Sequence, residues 1–215
     1  MKNRHLFLFG SSPPFGNKLG RKFAELSFNQ NAKIAILFVE RDGWEKYMPR
    51  YTEELKKYGV FDFVYLPLSS DLVSNIVNEL NTCTGIIIGG GETELYHHHI
   101  VETAIGVHIK KLYAQGIPIA GFSAGTLIIP ENCIIPPIDN TSGKQLYLRG
   151  LGLIKECVIS VHFTKWNEEK NLNIALSKTN ALIGYGIDDE EGIYFKNESV
   201  EETEGEKYYV YRKQN

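Results

Sequence analysis

Short apolar runs alternate with longer amphipathic stretches along this chain, and that alternation limits its fold more than any other feature. The runs are His5 to Phe9, Lys33 to Val39, Asp62 to Leu66, Gly85 to Ile88, Ile117 to Ala120, Val158 to Val161 and Ala181 to Ile183. Runs this short and this continuously apolar suit strands buried on both faces. Between them, Lys18 to Leu26, Tyr51 to Tyr58, Leu72 to Leu80, Ile100 to Gln115 and Glu168 to Leu176 read as crossover helices. Parallel neighbours need such crossovers, so the expected fold is an α/β three-layer sandwich, a mostly parallel central sheet flanked by helices. Near the C-terminus, Gly192 to Phe195 and Tyr208 to Tyr211 flank an acidic turn from Asn197 to Glu206, which reads as a peripheral β-hairpin. Pro130, Pro136 and Pro137 mark a long loop after the central helix. No repeat, low-complexity linker or composition break divides the sequence, so residues 1–215 are expected to form one domain.

Composition narrows the functional classes. Hydrophobic residues make up 43% and charged residues 23%, which excludes disordered, collagen-like and coiled-coil chains. With 23 basic against 26 acidic residues, the net charge of −3 gives no bulk attraction to nucleic acid or an anionic membrane surface, and neither is expected as a partner. Cys83, Cys133 and Cys157 form no Cys-x-x-Cys pair and lie in apolar surroundings. They read as reduced, buried thiols of a cytoplasmic protein, with no disulfide or metal role. Lys2 and Arg4 precede only Leu6 to Phe9 before Gly10, Ser11 and Pro13, too short a run for a signal segment or a spanning helix.

Several of the 20 glycines fall in two tight clusters. The first closes a buried strand, Ile86-Ile87-Ile88-Gly89-Gly90-Gly91-Glu92-Thr93, ahead of a helix expected from about Thr93. Such a loop turns sharply with its N–H groups uncovered and suits an anion or oxyanion, although a plain strand-to-helix turn reads the same way. It is not the Gly-x-Gly-x-x-Gly dinucleotide fingerprint. The second cluster is Ile117-Pro118-Ile119-Ala120-Gly121-Phe122-Ser123-Ala124-Gly125-Thr126-Leu127, a strand entering Gly-x-Ser-x-Gly and then an apolar helical segment. Its small residues clear the space around a strained turn and leave the Ser123 hydroxyl above the sheet, the form of a nucleophile elbow.

A serine of this kind needs a base. Of the six histidines, His162 follows a strand beyond the elbow, in Val158-Ile159-Ser160-Val161-His162-Phe163-Thr164, at the sheet edge where ligands collect in open α/β folds. The run His97 to His99 is more conspicuous, but successive helical residues point about 100° apart and do not converge on one metal. Carboxylates end a third strand in Ile183-Gly184-Tyr185-Gly186-Ile187-Asp188-Asp189-Glu190-Glu191, and any of the four suits the other imidazole nitrogen. Asp139, between Ser123 and His162, keeps open the Ser, acid, His order of α/β-hydrolase esterases.

These residues resemble the serine peptidases of the dipeptidase E and cyanophycinase type, whose fold is similar to that of class I glutamine amidotransferases. The matching segments are Gly89-Gly90-Gly91-Glu92-Thr93, Gly121-Phe122-Ser123-Ala124-Gly125, Gly150-Leu151-Gly152-Leu153 ahead of Val161-His162-Phe163-Thr164, and Gly186-Ile187-Asp188-Asp189, in the family's order. The resemblance implies Ser123 as nucleophile, His162 as base, and the N–H groups of Gly91 and Ala124 as oxyanion hole. It implies Asp189 as triad acid where the family usually has glutamate, with Asp188 or Glu190 as neighbours able to take the role. Relatives that cleave after aspartate are similar in carrying arginines just after the His-Phe element. Here Lys165-Trp166-Asn167-Glu168-Glu169 follows, and Glu92 replaces the family's Asn or Asp after the glycines. Glu92, Lys165 and Trp166 are therefore expected to touch substrate, and aspartyl specificity is not inherited.

The expected function is cleavage of a small peptide or isopeptide, in exopeptidase fashion, through an acyl-enzyme, without metal or cofactor. The competing expectations are a non-catalytic binding member of the same fold, suggested by the missing arginines and shortened acid, and an esterase using Asp139.

Overall fold

The computed structural model describes residues 2–28 and 31–213. Strands β1 (His5–Phe9), β2 (Lys33–Phe38), β3 (Asp62–Pro67), β4 (Gly85–Ile88) and β5 (Ile119–Phe122) pair in parallel. Next come an antiparallel ribbon of β6 (Asn132–Ile135) and β7 (Leu146–Arg149), and a parallel pair, β8 (Cys157–Val161) and β9 (Ile183–Ile187). The chain then returns antiparallel to β1 as β10 (Gly192–Lys196), turns back as β11 (Ser199–Glu204), and ends with β12 (Tyr209–Arg212) antiparallel to β9. The main sheet runs β11-β10-β1-β5-β4-β2-β3 and the second β12-β9-β8.

Strand alternation sorts the core into layers, because successive side chains point to opposite faces. Phe7, Phe9, Ile34, Ile36 and Phe122 pack under α1 (Asn17–Ser27), the short α2 (Trp44–Tyr47) and α3 (Pro49–Lys56). Leu6, Leu8, Ala35, Leu37, Ile86 and Ile88 face α4 (Val73–Leu80), α5 (Thr93–Tyr96), α6 (Ala104–Ala114) and α7 (Ala124–Ile128). α8 (Glu169–Lys178) lays Leu172 and Leu176 on Val158 and Phe163 of the second sheet. This is the expected three-layer α/β arrangement.

Four local expectations are corrected. The C-terminal hairpin exists, but its second strand is Ser199–Glu204, the segment read as an acidic turn, whereas Tyr209–Arg212 crosses to β9. The acidic strand is stable at the sheet edge because Glu202 pairs with Lys18 and Lys22 of α1. The strand expected over Ala181 to Ile183 instead spans Ile183–Ile187. Its glycines are there for packing: a Cβ on Gly186 would stand 2.5 Å from the Phe163 ring. The loop expected around Pro130 to Pro137 contains β6, paired with β7. The helix expected from Ile100 starts at Ala104, after a π-helical turn over His97–Val101.

Candidate active site

β5 delivers Ser123 onto a turn with φ 48° and ψ −106°, positive φ for a residue that is not glycine. Such a conformation costs of order 1–3 kcal/mol and persists only where its surroundings fix it. The Ser123 N–H donates to the Phe9 carbonyl at 3.2 Å, the Ser123 carbonyl accepts from Leu127 at 3.0 Å, and the Gly125 N–H donates to the Gly89 carbonyl at 3.0 Å. The last bond ties the elbow to the glycine loop. Side chains would prevent this approach, since a Cβ on Gly125 would lie 2.3 Å from the Ile88 carbonyl oxygen and one on Gly121 2.8 Å from the Gly125 carbonyl carbon.

His162 leaves β8 and also has positive φ, 48°. Its N–H donates to the Gly10 carbonyl at 3.0 Å. Consecutive carbonyls at the end of β1, those of Phe9 and Gly10, thus hold the backbones of Ser123 and His162. The side chains meet, with Ser123 Oγ 3.1 Å from His162 Nε2. Both residues are buried, 8% and 9% exposed. On the far side of the ring, His162 Nδ1 hydrogen-bonds Asp189 Oδ1, and the Lys165 ammonium donates to Asp189 Oδ2 at 2.9 Å. Partial burial works to raise the Asp189 pKa, but hydrogen bonds from Lys165 and His162, with their charges, outweigh it and hold the carboxyl below its ordinary range.

Asp188, Glu191 and Asp139 are engaged elsewhere. Asp188 accepts from the Thr164 N–H at 2.7 Å and its hydroxyl at 2.9 Å. Glu191 accepts from the N–H groups of Asp188 at 3.3 Å and Lys207 at 2.9 Å. Asp139 accepts from the Thr93 hydroxyl at 2.6 Å, so its carboxylate orients the start of α5. Asp189 is therefore the carboxylate brought against the His162 ring.

Gly91, at φ 156°, ends the glycine loop, and Ala124 follows Ser123 as the first residue of α7. Neither N–H has an acceptor among the described residues. A Cβ on Gly90 would lie 3.4 Å from Ser123 Cβ, which puts the glycine loop directly against the elbow. The expected substrate residues divide. Glu92 is exposed at the start of α5, and Trp166 lies against the His162 ring with centroids 4.2 Å apart. Lys165 faces Asp189, a role missed by the sequence, where a lysine just after a histidine carries no mark of its partner. The Phe9 and Gly10 carbonyls were missed as well, because main-chain acceptors have no side-chain signature. His97 Nε2 bonds the Arg149 carbonyl at 2.8 Å, joining the π-helical turn to β7. Among the described residues no three His, Cys, Asp or Glu side chains group as metal ligands, and no helix is long and apolar enough to cross a membrane.

A serine on a strained strand-to-helix turn, bonded to a histidine backed by a carboxylate, is the arrangement of a serine-type hydrolase built on an α/β sandwich. The model of peptidase family S51 matches residues 6–203. The chain belongs to that family. A cyanophycinase of Geminocystis herdmanii (strain PCC 6308) is 27% identical over 124 residues, covering 55% of this chain and 46% of the cyanophycinase. The chain thus spans about half the length of that curated relative. Among solved structures, a peptidase from an acI-B1 actinobacterium superposes with a TM-score of 0.72 at 18% identity, over 90% of this chain and 84% of that one. A candidate peptidase E protein from Listeria monocytogenes EGD-e gives 0.65 at 19% identity, over 98% of each chain. At these identities the two structures establish the shared fold.

Proposed function

We propose that this chain cleaves a peptide or isopeptide bond of a small substrate, as a cytoplasmic exopeptidase working through an acyl-enzyme. The observation that carries the proposal is the line of contacts from Ser123 Oγ to His162 Nε2 at 3.1 Å and from His162 Nδ1 to Asp189. Ser123 Oγ attacks the scissile carbonyl carbon while its proton passes to His162 Nε2. Asp189 holds the proton on Nδ1 and stabilises the imidazolium. The N–H groups of Gly91 and Ala124 donate to the tetrahedral oxyanion, where losing one donor typically costs about 10² to 10³ in rate. Collapse expels the amine, which takes the proton from Nε2. A water deprotonated by Nε2 then hydrolyses the Ser123 ester and frees the enzyme.

Specificity for an acidic side chain is not part of the proposal. Gripping a carboxylate calls for a free cation, best a guanidinium, and the ammonium of Lys165 is bonded to Asp189. Glu92, exposed at the start of α5, and Trp166, against the His162 ring, are the residues expected to meet the substrate.

The test is covalent. A fluorophosphonate probe is expected to label the wild-type protein at Ser123 and to leave Ser123→Ala unlabelled, with hydrolysis across a dipeptide and isopeptide library lost in parallel. Unchanged hydrolysis by Ser123→Ala would sink the mechanism, and failure of several fluorophosphonates to label wild type would favour a binding protein on the same fold.

A further inference from the structure

Three consecutive glycines fix nothing by themselves. Each accepts positive and negative φ with similar ease, so the peptide planes between β4 and α5 are intrinsically free to rotate. An oxyanion donor, by contrast, acts only if it is already aimed when charge develops. Two tyrosines, each 1% exposed, enclose this loop: Tyr51 from α3 and Tyr96 from α5. The Gly90 N–H donates to the Tyr51 hydroxyl at 3.1 Å, and the Tyr96 hydroxyl donates to the Gly90 carbonyl at 3.1 Å. The Tyr96 oxygen also accepts from the Val39 N–H at 3.2 Å, which anchors the phenol to the end of β2. Burial pushes the Tyr96 hydroxyl up to about 12, so it keeps the proton that it donates. The glycines leave room for both rings: a Cβ on Gly89 would lie 2.7 Å from the Tyr51 oxygen and 2.9 Å from the Tyr96 oxygen, and one on Gly91 3.2 Å from the Tyr96 ring.

The Gly90 carbonyl and the Gly91 N–H belong to one planar trans peptide unit and point in opposite directions. Whatever holds the carbonyl therefore aims the N–H. We propose that Tyr96 is a positioning residue for catalysis, locking the Gly90–Gly91 peptide plane so that its N–H faces the oxyanion, while Tyr51 locks the preceding plane. This rests on Gly91 being an oxyanion donor, as proposed above. Neither tyrosine touches substrate; both act through the glycine backbone.

Tyr96→Phe removes the donor and keeps the ring that fills the core. With p-nitrophenyl acetate as probe, its acylation rate is expected to fall about ten- to a hundredfold, less than complete loss of an oxyanion donor costs, with half-saturation of the probe unchanged. Tyr51→Phe is expected to give a smaller loss of the same kind, and it carries the test if Tyr96→Phe does not fold. Independently of turnover, the Gly91 amide resonance in protein labelled with 15N-glycine is expected to broaden or split in Tyr96→Phe. An unaltered acylation rate in folded Tyr96→Phe, with Ser123→Ala inert, overturns the clamp and leaves Ser123 as nucleophile. A rate loss matched by weaker probe saturation also overturns it, because the tyrosine then shapes the pocket. Acylation persisting in Ser123→Ala overturns the parent mechanism, and the Gly91 resonance then decides the clamp alone: an unchanged shift and line width overturns it.

Discussion

Asp189 is one methylene shorter than the glutamate usual in the relatives this sequence resembles, and Lys165 lies on the oxygen that the histidine does not use. The lysine side chain is 62% exposed, so the pair adds little to stability across screening solvent. What it does is orient the carboxylate and favour its ionised form. Asp189→Asn is expected to lower kcat by about 10⁴, as removal of a tautomer-fixing aspartate does elsewhere, whereas Asp139→Asn should retain most activity. The reverse result would restore the esterase order of residues. Lys165→Met tests the lysine through the pH profile. Because Asp189 titrates below its ordinary range, its ionised form supports the site at neutral pH and is lost only as pH falls through that depressed value. Without Lys165 the value moves back up, so the acid limb of kcat should shift to higher pH while the alkaline side stays in place. An unshifted acid limb would mean that the ion pair has no part in catalysis.

At the scale of elements, α1 is capped from a distance. Its N-cap, Gly16, has no side chain, and the N–H groups of Lys18 and Leu19 donate instead to the Glu204 carboxylate of β11 at 2.6 and 3.0 Å. A Cβ on Gly16 would stand 2.1 Å from the Glu204 carboxyl carbon, so the glycine admits the borrowed cap. Glu204→Ala is expected to destabilise the protein by about 1 kcal/mol, the usual worth of a cap, which for a chain of this size lowers Tm by about 2–4 °C. Thermal melts that superpose would show that water serves those N–H groups equally well. The same strand shows where sequence reading runs out. Lys33–Phe38 and Gly85–Ile88 read correctly as strands because both faces are apolar, whereas Ser199–Glu204 reads as a turn because its stability comes from lysines on α1 that lie far away in sequence. Ser123 was legible from the strand end and small residues around it, and His162 from its place at the end of a later apolar strand. Tyr51, Tyr96 and the carbonyls of β1 were not, since their contacts with the site exist only once distant strands have been brought side by side.

Across the whole molecule, the proposed machinery is divided between two sheets. Ser123 and the glycine loop stand on the main sheet, while His162 and Asp189 follow β8 and β9 of the second, whose one face joins the main core through Ile159, Tyr185 and Ile187 and whose other face has a small cluster of its own around Val158, Phe163, Leu172 and Leu176. Regions with fewer buried apolar contacts open locally at lower cost than the rest of a fold. Hydrolysis is therefore expected to fail at lower urea than far-ultraviolet circular dichroism, with amides of β8 and β9 exchanging before those of β2 and β4; coincident midpoints would show that the sheets melt as one unit. The join between them is the end of β1, where a Cβ on Gly10 would stand 2.2 Å from the Asp188 carbonyl oxygen. The Phe9 carbonyl carries the serine and the Gly10 carbonyl the histidine. Adjacent residues of one chain are held 3.8 Å apart by covalent geometry, so the spacing of the two reacting backbones is gauged by a chemical bond rather than by packing. A single residue added between Phe9 and Gly10 would reset that gauge.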